Sequence, residues 1–193
     1  PAEIDAVRRH SPSAELLYMH PVKAQSAIRH ALETHAIRTT VVDHEDEITK
    51  LHKIVQGLDI DPGAMTVFVR IQTKGSAAYE LSKKFGAAPS HAVELLQRLA
   101  RNGYRLGLGF HVGSQIQDPD TYDRALASAD WVRNRAGVTV SELDVGGGFP
   151  AEYGHDPRRK HVEMPSLGQM MSRLRNDIAE WGFSDMQLVA EPG

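Results

Sequence analysis

Six short apolar runs, each followed by an amphipathic stretch, limit what this chain can fold into. The runs are residues 15–20 (ELLYMH), 39–43 (TTVVD), 65–71 (MTVFVRI), 106–112 (LGLGFHV), 140–145 (VSELDV) and 186–191 (MQLVAE). They are rich in Val, Leu and Ile, as strands buried on both faces of a parallel sheet are. The stretches between them read as helices. Residues 23–34 carry apolar positions at helical spacing. Residues 45–56 open on acids, which favour a helix N-terminus, and set Ile48, Leu51 and Val55 on one stripe. Residues 90–102 place Ala92, Leu95, Leu96 and Leu99 on one face, with Pro89 and Ser90 as the start. Residues 119–135 and 167–181 repeat the pattern. No low-complexity tract or linker divides the chain, so it reads as one domain of parallel βα units.

Two architectures satisfy that alternation: an open doubly wound sheet and a (β/α)8 barrel. The placement of the polar residues separates them. His20, Asp43, Arg70, His111, Asp144 and Glu191 all fall at or near the C-terminal end of a predicted strand. In a barrel every strand end opens on one mouth, whereas in an open sheet only the point where strand order reverses does so. The barrel is therefore expected, although it needs eight strands and six are counted.

Composition excludes several classes. The chain has 193 residues, 41% hydrophobic and 24% charged, with a net charge of -3, an ordinary globular profile. The balance is not the strongly basic one of a nucleic-acid binder. The apolar runs are too short for a bilayer, so no membrane partner is expected. With no cysteine, a disulfide scaffold and a thiolate zinc site are both excluded, which fits a cytoplasmic location. Among the ten histidines no HExxH spacing occurs. His30 and His35 are five apart, which on an α-helix puts them on different faces, so no metal site is expected. Neither a nucleophile elbow nor a Walker loop is present.

Three segments carry candidate chemistry. Asp144-Val145-Gly146-Gly147-Gly148-Phe149-Pro150 puts three glycines directly after a strand. Such a run admits positive φ and can form an anion-binding nest for a phosphate, or it is only a tight strand-to-helix turn. Phe110-His111-Val112-Gly113-Ser114-Gln115 puts a histidine at the mouth, able to stack on a planar ligand or exchange protons, and Ser114 offers a hydroxyl to a phosphate. A satisfied core histidine is the alternative. Ala190-Glu191-Pro192-Gly193 offers a carboxylate that could hold a proton on a heteroaromatic nitrogen, or a solvated loop acid. Arg70 interrupts an apolar strand and needs a carboxylate or phosphate partner, whether in the mouth or in a structural ion pair.

Taken in order and spacing, residues 18–23 (YMHPVK), 41–43, 81–86 (LSKKFG), 110–115 (FHVGSQ), 144–150 (DVGGGFP) and 190–193 (AEPG) resemble the fold type III pyridoxal-phosphate decarboxylases, which act on ornithine, lysine or diaminopimelate. The resemblance covers nearly the whole chain and is closer to the ornithine and lysine branch. It implies an alanine racemase-like (β/α)8 barrel and a homodimer that decarboxylates a small basic amino acid, ornithine first and lysine second, to a diamine of the polyamine pathway. It implies that His111 stacks on the pyridoxal ring, that Ser114 and Gly146, Gly147 and Gly148 bind its phosphate, and that Glu191 pairs with the ring nitrogen. Arg70 would lie near the cofactor and Lys84 at the subunit interface; otherwise Lys84 is an exposed lysine.

The resemblance also implies that the six strands are the third to eighth of the barrel. The lysine that anchors the cofactor covalently belongs to the family's first strand, and no lysine here matches it. The expectation is a partial barrel over residues 1–193, without two N-terminal strands and a C-terminal β-rich domain, and inactive by itself. The rival expectation is a relative that has lost the cofactor and serves as a regulator or binding partner.

Overall fold

A computed structural model describes residues 1–73, 77–79, 84–116, 118, 120–149 and 166–192. Six strands form one sheet: β1 (Leu17–Tyr18), β2 (Thr39–Val42), β3 (Thr66–Ile71), β5 (Arg105–Phe110), β7 (Glu142–Asp144) and β8 (Gln187–Val189). They lie in the order β1-β2-β3-β5-β7-β8, and every neighbouring pair is parallel. Strand order therefore follows chain order with no reversal, so the sheet has no topological switch point. That decides between the two architectures: the sheet is a curled half-barrel, with all C-terminal strand ends on one rim.

Side-chain alternation builds the layers. In β3 all residues are buried except Arg70, and in β5 all except Arg105. Val67, Phe68, Val69 and Leu108 are wholly shielded, each contributing about 1.5–3 kcal/mol of apolar burial. Helices α3 (Glu45–Gly57), α4 (Pro89–Arg101), α5 (Asp120–Ala136) and α6 (Leu167–Glu180) cover the outer face. They bury the stripes the sequence marks, with Leu51 and Val55 on α3 and Leu95, Leu96 and Leu99 on α4. α3 begins where the His44 ring accepts the Asp46 N–H, just ahead of three acids. α6 begins on a capping box between Ser166 and Gln169.

Three local features depart from the sequence reading. A helix α1 (Ala2–His10), with no buried residue, precedes β1; its amphipathic signal is too short to stand out. Two short strands, β4 (Ala77–Tyr79) and β6 (Ser114–Ile116), pair antiparallel outside the main sheet. The predicted helix over 23–34 is also not one helix. α2 (Gln25–Arg29) runs directly into a π-helical segment, His30–Thr34.

The last of these corrects the spacing argument about His30 and His35. A π turn holds more residues than an α turn, so positions five apart align. The two Nε2 atoms lie 3.2 Å from each other, and each lies 2.7 Å from Asp5 Oδ1 on α1. Lys23 is likewise outside the helix. It is buried, and its Nζ donates to the carbonyls of His20 at 2.8 Å, Pro21 at 3.3 Å and Val41 at 2.6 Å, tying the turn after β1 to the end of β2.

Candidate functional site

The strand-end rim gathers side chains that are far apart in sequence. Arg70 from β3, His111 after β5, Asp144 from β7 and Glu191 after β8 line one shallow cleft open to solvent, with Met19 and Val41 alongside. The other two strand-end residues act nearby. Asp43 Oδ2 accepts the Gly86 N–H at 2.9 Å, and the His20 ring meets Phe85 edge-on at 5.5 Å. They hold the turn 84–86 beside the cleft, where the Arg70 guanidinium lies 5.7 Å from the centre of the Phe85 ring. Lys84 is exposed on that turn. Residues 81–83, Pro150 and Gly193 of the motifs fall outside the described residues.

The glycine run is packed backbone to backbone against its neighbours. Gly146 and Gly148 have φ of 68° and 94°, the left-handed region that favours glycine. A Cβ at Gly146 would sit 2.2 Å from the Phe110 carbonyl oxygen, and one at Gly148 2.0 Å from that of Gly113. The Glu191 N–H donates to the Gly146 carbonyl at 2.8 Å, which docks the chain after β8 onto the loop. The Ile116 N–H donates to the Gly148 carbonyl at 2.9 Å, which docks the segment bearing Ser114. Beneath the loop, the buried Tyr122 hydroxyl on α5 donates to the Gly147 carbonyl at 2.9 Å. Nothing in the sequence marks Tyr122 as part of this region, because its partner is a backbone atom on a distant loop.

Two of the three glycine N–H groups turn inward. That of Gly146 donates to Asp144 Oδ1 at 2.8 Å, and that of Gly147 to His111 Nδ1 at 3.3 Å. Gly146 and Gly147 therefore give the loop its shape. Among the described residues, no hydrogen-bond partner takes up the Gly148 N–H or the half-buried Ser114 hydroxyl, so both can meet an anion. The bond to Nδ1 also settles the His111 tautomer: Nδ1 keeps its lone pair and a neutral ring carries its proton on Nε2.

Burial sets the electrostatics. It holds the His111 pKa below the usual imidazole value, and the Arg70 charge pushes it the same way, so the ring is neutral at neutral pH. Burial pushes the Asp144 carboxyl up to about 7. The charge of Glu191 adds to that rise, while the Gly146 N–H and Arg70 oppose it. Glu191 is also held above the ordinary carboxylate range by partial burial, against the pull of Arg70. Arg70 is itself lowered by burial and supported in turn by the charges of Glu191, Asp43 and Asp144. The cleft thus holds more acid than its one guanidinium balances. A flat ligand carrying a protonated ring nitrogen complements that set: a neutral imidazole and an under-neutralised carboxylate on one cleft.

A parallel barrel sheet whose strand ends form such a cleft defines a class of barrel proteins, and likeness to known proteins narrows it. The family model described as pyridoxal-dependent decarboxylase, pyridoxal binding domain, matches residues 1–193. The lysine/ornithine decarboxylase of Selenomonas ruminantium is 32% identical over 177 residues, which cover 87% of this chain and 42% of that protein. The solved structure of lysine/ornithine decarboxylase from Vibrio vulnificus with putrescine aligns at a TM-score of 0.79 and 27% identity, covering all of this chain and 48% of the other. An SrLDC variant in complex with PLP aligns at 0.82 and 30%, with the same coverage. The chain belongs to the pyridoxal-dependent decarboxylase family and spans about half the length of the relatives it matches. Among the described residues no helix is long and apolar enough to cross a membrane.

Proposed function

We propose that the full-length protein carrying this chain is a pyridoxal-phosphate-dependent decarboxylase of a basic amino acid, ornithine first and lysine second, yielding a diamine. The observation that carries the proposal is the cleft's donor set, with the neutral His111 ring fixed by the Gly147 N–H and an under-neutralised Glu191 carboxyl on the same rim. The name of the Selenomonas relative, lysine/ornithine decarboxylase, supports that pair of substrates. When bound, the cofactor supplies an electron sink for the negative charge left on the α-carbon as CO2 departs.

This chain's residues would do the holding. His111 would lie flat against the cofactor ring, and its neutrality avoids repulsion with a charged ring. Glu191 would keep a proton on the ring nitrogen. Arg70 would limit the repulsion between Glu191 and Asp144. Ser114 and the Gly148 N–H would bind the phosphate, on a loop whose shape Gly146 and Gly147 set. In the full-length protein two further strands would precede β1, one carrying the anchoring lysine, and a β-rich domain would follow β8. That protein would be a cytoplasmic homodimer with Lys84 at the interface, in keeping with that lysine's exposure.

The test is CO2 release from ornithine and from lysine by the full-length protein with added pyridoxal phosphate. Turnover of at least one is expected, with Glu191→Gln lowering kcat by about a hundredfold and His111→Ala weakening cofactor binding. A protein that neither binds the cofactor nor releases CO2 would be the non-catalytic relative instead.

A further inference from the structure

Asp5, His30 and His35 form a cluster that the proposed decarboxylation does not use. Among the described residues it is the one group of three metal-ligating side chains with converging donor atoms. His30 and His35 reach it through the π turn, and Asp5 reaches it from α1. The cluster precedes β2, on the side of the sheet where the strands begin, away from the strand-end cleft. We propose that it is a binding site for a divalent transition metal, zinc above all, which fastens α1 to the α2–π segment.

Three observations carry this. Two imidazole Nε2 atoms and one carboxylate oxygen meet at 2.7, 2.7 and 3.2 Å. As a purely hydrogen-bonded group the arrangement is poor. Either both rings donate to the same oxygen with their N–H groups crowded together, or one ring turns a lone pair on the carboxylate. A cation accepts all three lone pairs at once. A tetrahedral zinc site spaces its nitrogen and oxygen ligands by about 3.3 Å, so the two shorter separations need open by only about 0.6 Å.

The side chains have room for that movement. Asp5 is 36% exposed, on a helix with no buried residue, and His30 is 30% exposed; His35, at 10%, is the fixed ligand. The exposed side leaves a fourth position for water. Imidazole and carboxylate together select zinc and its first-row neighbours over calcium or magnesium, which want oxygen ligands. The staple also has something to hold. Beyond the cluster, Arg8 of α1 donates to the carbonyls of Pro12 at 2.6 Å, Ala14 at 2.9 Å and His35 at 3.4 Å.

The experiment is zinc titration of the tag-free, full-length protein in competition with a chromophoric chelator, alongside thermal unfolding with and without zinc. The expected result is one site whose affinity falls roughly tenfold or more in each of Asp5→Asn, His30→Ala and His35→Ala, and a zinc-dependent rise in Tm that the same variants lose. His10→Ala, on α1 but outside the cluster, should change neither. Asp5→Asn keeps the shape of the side chain on an exposed helix, so its loss of zinc binding cannot be put down to misfolding when its metal-free Tm equals that of the parent. Zinc affinity unchanged by Asp5→Asn and His35→Ala, or no zinc binding at all, would overturn the site. Cofactor binding and CO2 release are separate readouts, so either proposal can fail without the other.

Discussion

The strand-end cleft and the Asp5–His30–His35 cluster each draw titratable side chains together from separate elements, but they are built in opposite ways. The cleft rests on backbone. Its glycine loop lies against the carbonyls of Phe110 and Gly113, Glu191 is docked through its own N–H, and Tyr122 supports the loop from below. The cluster rests on side-chain ends, one of them on a helix with no fully buried residue. The contrast teaches where each can tolerate change: the cleft is rigid and sensitive to a single added methyl, while the cluster can lose a side chain cheaply unless a metal ties it together.

The contrast can be broken by substitution. Gly148→Ala should have the largest effect. It forces a Cβ to 2.0 Å from the Gly113 carbonyl at a φ of 94°, and should cost about 3 kcal/mol in a urea titration of the full-length protein. A loss near zero would mean that the loop is loosely held. Lys23→Met comes next. It keeps the aliphatic stem but leaves three carbonyls without their ammonium donor, at a cost of about 2 kcal/mol.

Asp144→Asn should do the reverse at alkaline pH. The folded-state pKa of Asp144 is raised from the ordinary 3.8 to about 7. Its contribution to stability is therefore full below 3.8 and is lost as pH rises through about 7. Asparagine still accepts the Gly146 N–H and does not ionise. The cofactor-free variant should then be more stable than its parent by about 1 kcal/mol at pH 8, an amount tempered by Arg70 and the open cleft, with the difference shrinking towards pH 4. Equal pH profiles for the two proteins would show that Asp144 is not buried as an acid. The smallest effect belongs to the cluster: without metal, Asp5→Asn should leave the urea midpoint unchanged within error, and a clear drop would mean that α1 is held by hydrogen bonds alone.

Much of the cleft is legible in the sequence because each of its side chains stands at the end of an apolar run. Arg70, His111, Asp144 and Glu191 announce a common rim once the strands are parallel and in order. The inward turn of the Gly146 and Gly147 N–H groups is not legible. It depends on where Asp144 and the His111 ring come to lie, and a triple glycine reads the same with its donors facing either way. The same limit hides Lys23, whose acceptors are all backbone carbonyls, and the pairing of β4 with β6, two segments too short to show a period.

By itself the sequence determined the parallel βα order, the buried stripes of α3 and α4, and which polar residues stand at strand ends. Period and composition suffice for these, since they follow from burying apolar side chains. The tertiary structure decided that strand order runs without reversal, that burial keeps His111 neutral and lifts Asp144, and that His30 and His35 share a face with Asp5. Spacing alone placed those two histidines apart. Only the extra residue in the π turn, held by the packing of this segment against the sheet, brings their nitrogens together.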